Sequence, residues 1–101
     1  MRTKLFVALI IMAVASAAFA DGAAVFTGKC AMCHGKGGAG DTGMGKSLGL
    51  KNLGSAEVQK ASDADLAKII ADGKGKMPAY KGKLSDDDIK GVVAFIRTLK
   101  K

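Results

Sequence analysis

The pentapeptide Cys30-Ala31-Met32-Cys33-His34 constrains this chain more than any other feature, because C-x-x-C-H is the spacing at which a polypeptide attaches haem covalently. Two thiols three positions apart on one helical turn can each add to a vinyl group of one porphyrin, and the next residue presents an imidazole to the iron. Rival readings of the thiols fail on inventory. A structural zinc ion takes four ligands, usually thiolate or imidazole, whereas the sequence holds two cysteines and one histidine. A redox dithiol of the thioredoxin kind sits near a βαβ pattern, and no alternation of strand-like and helix-like runs follows His34. The pattern therefore predicts one haem c bound through Cys30 and Cys33, with His34 as an axial ligand of its iron.

The first residues read as an export signal. Arg2 and Lys4 precede an apolar run from Leu5 to Ala15, which continues through small residues to Ala18-Phe19-Ala20, an A-x-A cleavage site. Cleavage after Ala20 removes residues 1–20 and leaves residues 21–101, a length that suits one small domain. The competing reading is a retained anchor, but Leu5 to Ala20 spans only ~24 Å as a helix, short of a hydrocarbon core of about 30 Å. No cysteine stands at the cleavage point to carry a lipid. The expected location is the periplasm. Free thiols tend to oxidise to a disulfide in such a compartment, and addition to haem consumes them instead.

Without Arg2 and Lys4, 14 basic residues face 9 acidic ones, a formal charge of +5. Lys29, Lys36, Lys46, Lys51, Lys74, Lys76, Lys81 and Lys83 flank the cysteines or the later Met77, so part of this charge is expected around one edge of the haem. A basic face steers acidic partners and speeds encounter. Nucleic acid is a poor partner class, since Arg97 is the one arginine after the leader and the basic residues are not interleaved with aromatics.

Helix signals bracket the motif. Asp21 is placed to cap a helix that carries Ala23, Ala24, Val25 and Phe26 toward Cys30, with Phe26 and Cys30 on one face. From Gly35 to Gly54 the chain spends eight of its 14 glycines and reads as an irregular loop wrapping a flat ligand. Ser55 to Lys60 reads as a short helical turn. Ser62 and Asp65 then form a capping pair ahead of Leu66, Ile69 and Ile70, and Gly73 ends that helix. Gly73 to Lys83 is a second loop, in which Pro78 biases Met77 toward an extended conformation. Ser85 caps a last helix with Asp86, Asp87 and Asp88 in its first turn and Arg97, Lys100 and Lys101 at its end, both suited to the dipole. Its apolar side is Ile89, Val92, Val93, Phe95, Ile96 and Leu99.

A six-coordinate iron needs a second axial ligand, and no other histidine is available. The candidates are Met32, Met44 and Met77. Met32 lies inside the attachment turn and cannot reach the far side of the ring. Met44 lies ten residues past His34 and Met77 lies 43 residues past it, so separation along the chain favours Met77.

Three blocks, GAAVFTGKCAMCHG, KMPAYKGKLSDDDI and GVVAFIRTLK, resemble the class I cytochromes c, and the likeness covers essentially all of residues 21–101. It implies an all-α fold in which crossed N- and C-terminal helices and their neighbours surround a covalently bound haem with one edge exposed. In that family a small residue and an aromatic of the first helix pack on an aliphatic and an aromatic of the last; Gly22 and Phe26, with Val92 and Phe95, stand at the matching positions. The nearest likeness is to short bacterial and photosynthetic carriers. The chain departs from some relatives in having no tryptophan to meet a haem propionate, a role for which Lys51, Asn52 and Tyr80 are candidates.

The expected function is single-electron transfer by a soluble, monomeric carrier with His34 and Met77 as axial ligands, moving electrons between respiratory or photosynthetic partners that have acidic docking surfaces. It is not an enzyme, and it meets membranes only through partner complexes. Two other readings stand beside it. One is a gas-binding or peroxide-reactive haem protein with a labile Met77. The other is a haem module docked to a larger oxidoreductase.

Overall fold

A computed structural model describes residues 21–101; the leader and its cleavage after Ala20 lie outside the described residues. Six helices follow in chain order: α1 (Gly22–Lys29), α2 (Ala31–His34), α3 (Gly43–Leu48), α4 (Ala56–Gln59), α5 (Asp63–Asp72) and α6 (Asp86–Thr98). The described residues form no strand, only isolated bridges at Lys74–Met77 and Lys81–Leu84. The architecture is all-α, as expected. Among the described residues, no helix is long and apolar enough to cross a membrane.

The helices begin where side-chain oxygens satisfy free backbone N–H groups. Asp21 accepts from Ala24 N, Ser55 from Val58 N and Ser62 from Asp65 N. At α6 the cap is reciprocal: Ser85 accepts from Asp88 N while the Asp88 carboxylate accepts from Ser85 N. Each such cap is worth about 1 kcal/mol. The glycine-rich stretch departs from the expected loop. The stretch from Gly35 to Gly54 is not irregular throughout, because Thr42 caps the six-residue helix α3, which ends at Gly49 in the left-handed region. Two glycines inside α3 hide it from a reading based on propensity.

The first and last helices cross, and this is the most extensive contact between helices. The crossing point is backbone on backbone. A Cβ added at Gly22 would lie 1.9 Å from the carbonyl oxygen of Gly91 and 3.1 Å from Val92 N. Only a residue without a side chain lets the helices meet this closely. One turn on, the Phe26 and Phe95 rings pack with centroids 5.0 Å apart and tilted by 45°. Phe26 and Val92, each 1% exposed, form the centre of a core that takes in Cys30, Leu66, Ile70, Leu84, Ile89, Val93 and Ile96. Phe95 and Leu99, expected on the buried face of α6, are half-buried.

Arg97 fastens α4 and α5 to the end of α6. Its guanidinium donates to the backbone oxygens of Gln59 (2.8 Å) and Ala61 (2.6 Å) and to Asp63 (2.8 Å). Gln59 in turn donates to the Leu53 and Ile96 carbonyls at 2.8 and 2.9 Å. These bonds tie the Leu53 turn, α4 and the start of α5 to the end of α6.

Candidate functional site

The attachment motif is delivered by the end of α1. Cys30 N donates to the Phe26 carbonyl at 2.8 Å, His34 N donates to the Cys30 carbonyl at 3.0 Å, and Gly35 then turns the chain away at φ 82°. Two further bonds hold this turn from the glycine-rich side. The Thr42 hydroxyl donates to the Cys33 carbonyl at 2.7 Å, and Gly40 N donates to the His34 carbonyl at 2.8 Å. Thr42 therefore serves twice, as cap of α3 and as brace of the motif. The sequence reading missed it because a threonine among glycines signals no more than a turn.

Cys30 is buried, Cys33 half-buried, and both are free thiols. Burial, and then the neighbouring Cys33, push the Cys30 thiol above its ordinary pKa, so it stays protonated in this polypeptide. The His34 ring is half-buried, 6.3 Å from Phe26 between centroids. Burial lowers its pKa and favours the neutral imidazole, the form that can ligate a metal. Its Nδ1 is buried with no hydrogen-bond partner.

These groups line one cleft of about 500 Å³, a volume typical of ligand and cofactor sites. One wall is the attachment turn with Lys29, a second is Ser47 to Lys51 at the end of α3, and a third is the strap of Lys74 to Pro78 with Tyr80. Met77 is half-buried on this third wall, which shares the void with Cys30, Cys33 and His34. Met44 lies on α3 outside the cleft and is 49% exposed; Met32 is 79% exposed on the attachment turn. Gly73 fixes how the strap leaves α5. At φ 79° it needs no left-handed strain, and a Cβ there would meet the Met77 carbonyl oxygen at 2.6 Å.

The expected basic edge is narrower than the sequence implied. Lys29, Lys51, Lys74 and Lys76 border the cleft, whereas Lys36, Lys46, Lys81 and Lys83 are exposed elsewhere. Of the candidates for propionate contact, Lys51 and Tyr80 reach the cleft. Asn52 instead accepts from Gly54 N at 2.8 Å, within its own turn.

Among the described residues, no three thiol, imidazole or carboxylate side chains converge on a point that could hold a bare metal ion. The donor set does suit a covalently linked haem: two sulfurs on one turn for two vinyl groups, an imidazole for the iron, and an apolar cleft between them and a thioether. An apolar macrocycle also completes a core that 81 residues alone make marginal.

Comparison with known proteins agrees. Residues 17–96 match the family model described as "Cytochrome C oxidase, cbb3-type, subunit III". The chain is 42% identical over 77 residues to cytochrome c6 of Leptolyngbya boryana, covering 76% of this chain and 87% of that protein. It is 41% identical over 80 residues to cytochrome c6 of Bryopsis maxima, covering 74% and 84%. The solved c-type cytochrome KustC0563 superposes with a TM-score of 0.75 at 33% identity, covering 81% of this chain and all of that one. The chain thus belongs to the small class I monohaem cytochromes c, electron-transfer proteins that carry one covalently attached haem c.

Proposed function

We propose that this protein is an exported, soluble single-electron carrier whose haem is linked through Cys30 and Cys33 and held axially by His34 and Met77. The observation that carries this reading is the shared cleft lined by both thiols, the one histidine and Met77, while neither Met44 nor Met32 lines it and both are exposed. When bound, the haem supplies a one-electron ferrous and ferric couple, and its potential is raised by Met/His relative to bis-histidine ligation.

The polypeptide's part is positioning. The turn at Cys30 to His34 is braced by Thr42 and Gly40. The strap bearing Met77 is tied back to α5, with Tyr80 N donating to the Ile70 carbonyl at 3.0 Å and Lys81 N to the Ala71 carbonyl at 2.9 Å. Two ligands held on separately anchored walls of one cleft would keep reorganisation small between oxidation states, and Phe26 packs 6.3 Å from the His34 ring. Of the four lysines bordering the cleft, Lys51 pairs with Glu57, and Lys29, Lys74 and Lys76 supply a field for docking on acidic surfaces of redox partners. Export to the periplasm, with residues 1–20 removed after Ala20, accords with covalent attachment of haem outside the cytoplasm.

The test is the visible spectrum of the oxidised protein. A weak sulfur-to-iron band at the red end is expected in the wild type and in Met44→Ala, and it should vanish in Met77→Ala. Loss in Met44→Ala with retention in Met77→Ala would overturn the assignment.

The match to a family described as an oxidase subunit favours one second reading, a haem module held permanently on a larger complex. Gel filtration of native extract separates the two: a free carrier elutes near its own mass of about 10 kDa or below, and a docked module co-elutes with its partner.

A further inference from the structure

The strap that carries Met77 is tied to the attachment turn by one side chain. The Tyr80 hydroxyl donates to the backbone oxygen of Lys29 at 3.0 Å, across 51 positions of sequence. Lys29 immediately precedes Cys30, so this bond joins two walls of the cleft, and both residues line it. Among the described residues it is the one side-chain hydrogen bond between strap and attachment turn.

Tyr80 is well placed to act as a tether. Its backbone N–H donates to Ile70, and its carbonyl accepts from both Lys83 N and Leu84 N at 2.9 Å, so the residue is fixed before its side chain reaches out. Lys83 Nζ lies 5.9 Å from the centre of its ring, a cation over the aromatic face. Only Pro78 and Ala79 separate it from Met77, and the proline limits how far those residues can turn. The anchored hydroxyl thus belongs to a residue only three positions from Met77.

We infer that Tyr80 is a positioning residue: its hydroxyl latches the Met77 strap onto the end of α1 and holds the cleft closed against added ligands. This rests on Met77 being the axial ligand. An outside ligand for the iron must wait for the strap to open, and its apparent affinity scales with the open fraction. Removing one hydrogen bond of ordinary net strength enlarges that fraction by about two- to tenfold.

The experiment titrates imidazole into the oxidised, haem-loaded protein and follows loss of the red-end band. Tyr80→Phe keeps the ring and its packing, so the band should persist without imidazole while apparent imidazole affinity rises about two- to tenfold. Ser62→Ala, which removes the cap at the start of α5, the opposite end of that helix from the strap, provides a variant of comparable global destabilisation and should bind imidazole as the wild type does. Unchanged affinity in Tyr80→Phe overturns the latch, and so does an equal rise in Ser62→Ala, which assigns the effect to general loosening. If Met77→Ala retains the band, the ligand assignment beneath the proposal fails; if Met77→Ala loses it and Tyr80→Phe binds as wild type, the latch alone fails.

Discussion

Gly22→Ala should be among the most damaging single-methyl changes available to this protein, and its size follows from the crossing of α1 and α6. The new Cβ would lie 1.9 Å from the Gly91 carbonyl oxygen, where real Cβ contacts stay beyond 3.0 Å, so the helices must part by about 1 Å. That oxygen is backbone and cannot rotate aside. Overpacking of this kind costs typically 1–3 kcal/mol, and parting the helices also loosens the Phe26–Phe95 pair behind the haem wall. Better helix propensity returns less than about 1 kcal/mol, since Gly22 opens the helix. A net loss of about 2 kcal/mol lowers Tm by roughly 8–16 °C in a domain of this size. Gly28→Ala, in the same helix with nothing within 4 Å of the added Cβ, provides the internal comparison. It should be neutral or raise Tm, by up to about 1 kcal/mol of propensity. The assay is thermal unfolding of the two haem-loaded variants under one set of conditions. Equal effects, or a Gly22→Ala protein as stable as the wild type, would refute a glycine-dependent crossing.

Three further outcomes are expected. Arg97→Ala leaves the Gln59 and Ala61 carbonyls without their charged donor and should cost about 2–3 kcal/mol, whereas Asp63→Ala removes only an exposed partner and should cost under about 1 kcal/mol; urea midpoints of the pair measure the contrast. Tyr80 is a group whose folded pKa is raised above its ordinary value of 10.0, chiefly by burial. Its contribution is complete below that pH and is lost as pH rises through the folded value, so stability should fall more steeply above pH 10 in the wild type than in Tyr80→Phe, as unfolding followed against pH will show. The Cys30→Ala, Cys33→Ala double variant should be recovered at bare polypeptide mass and largely unfolded; native-like circular dichroism in that material would contradict the role given to haem in completing the core.

Much of this architecture was legible because its signals are local. C-x-x-C-H is complete in five residues, and the caps Asp21, Ser55, Ser62 and Ser85 each sit directly before the helix they start. Gly22, Phe26, Val92 and Phe95 were recognisable through family likeness, but the seating of Gly22 on the backbone of Gly91 was not. Gly22 meets the backbone of Gly91, and a contact made by two missing side chains leaves no apolar pattern. The helix α3 was hidden for a related reason, since what makes it helical is Thr42 and the turn at Gly49 rather than residues of high propensity. The Tyr80 to Lys29 bond and the Arg97 clamp join positions 51 and 34 to 38 residues apart. Periodicity carries no information at that range.

The central claim, a haem iron gripped between His34 and Met77, is tested most directly by proton NMR of the reduced, haem-loaded protein with its methionine methyl groups labelled. One methionine methyl should be displaced far upfield by the ring current of the macrocycle. It should disappear in Met77→Ala and remain in Met44→Ala. Three methionine methyls at ordinary positions, or an upfield signal that survives Met77→Ala, would contradict the account.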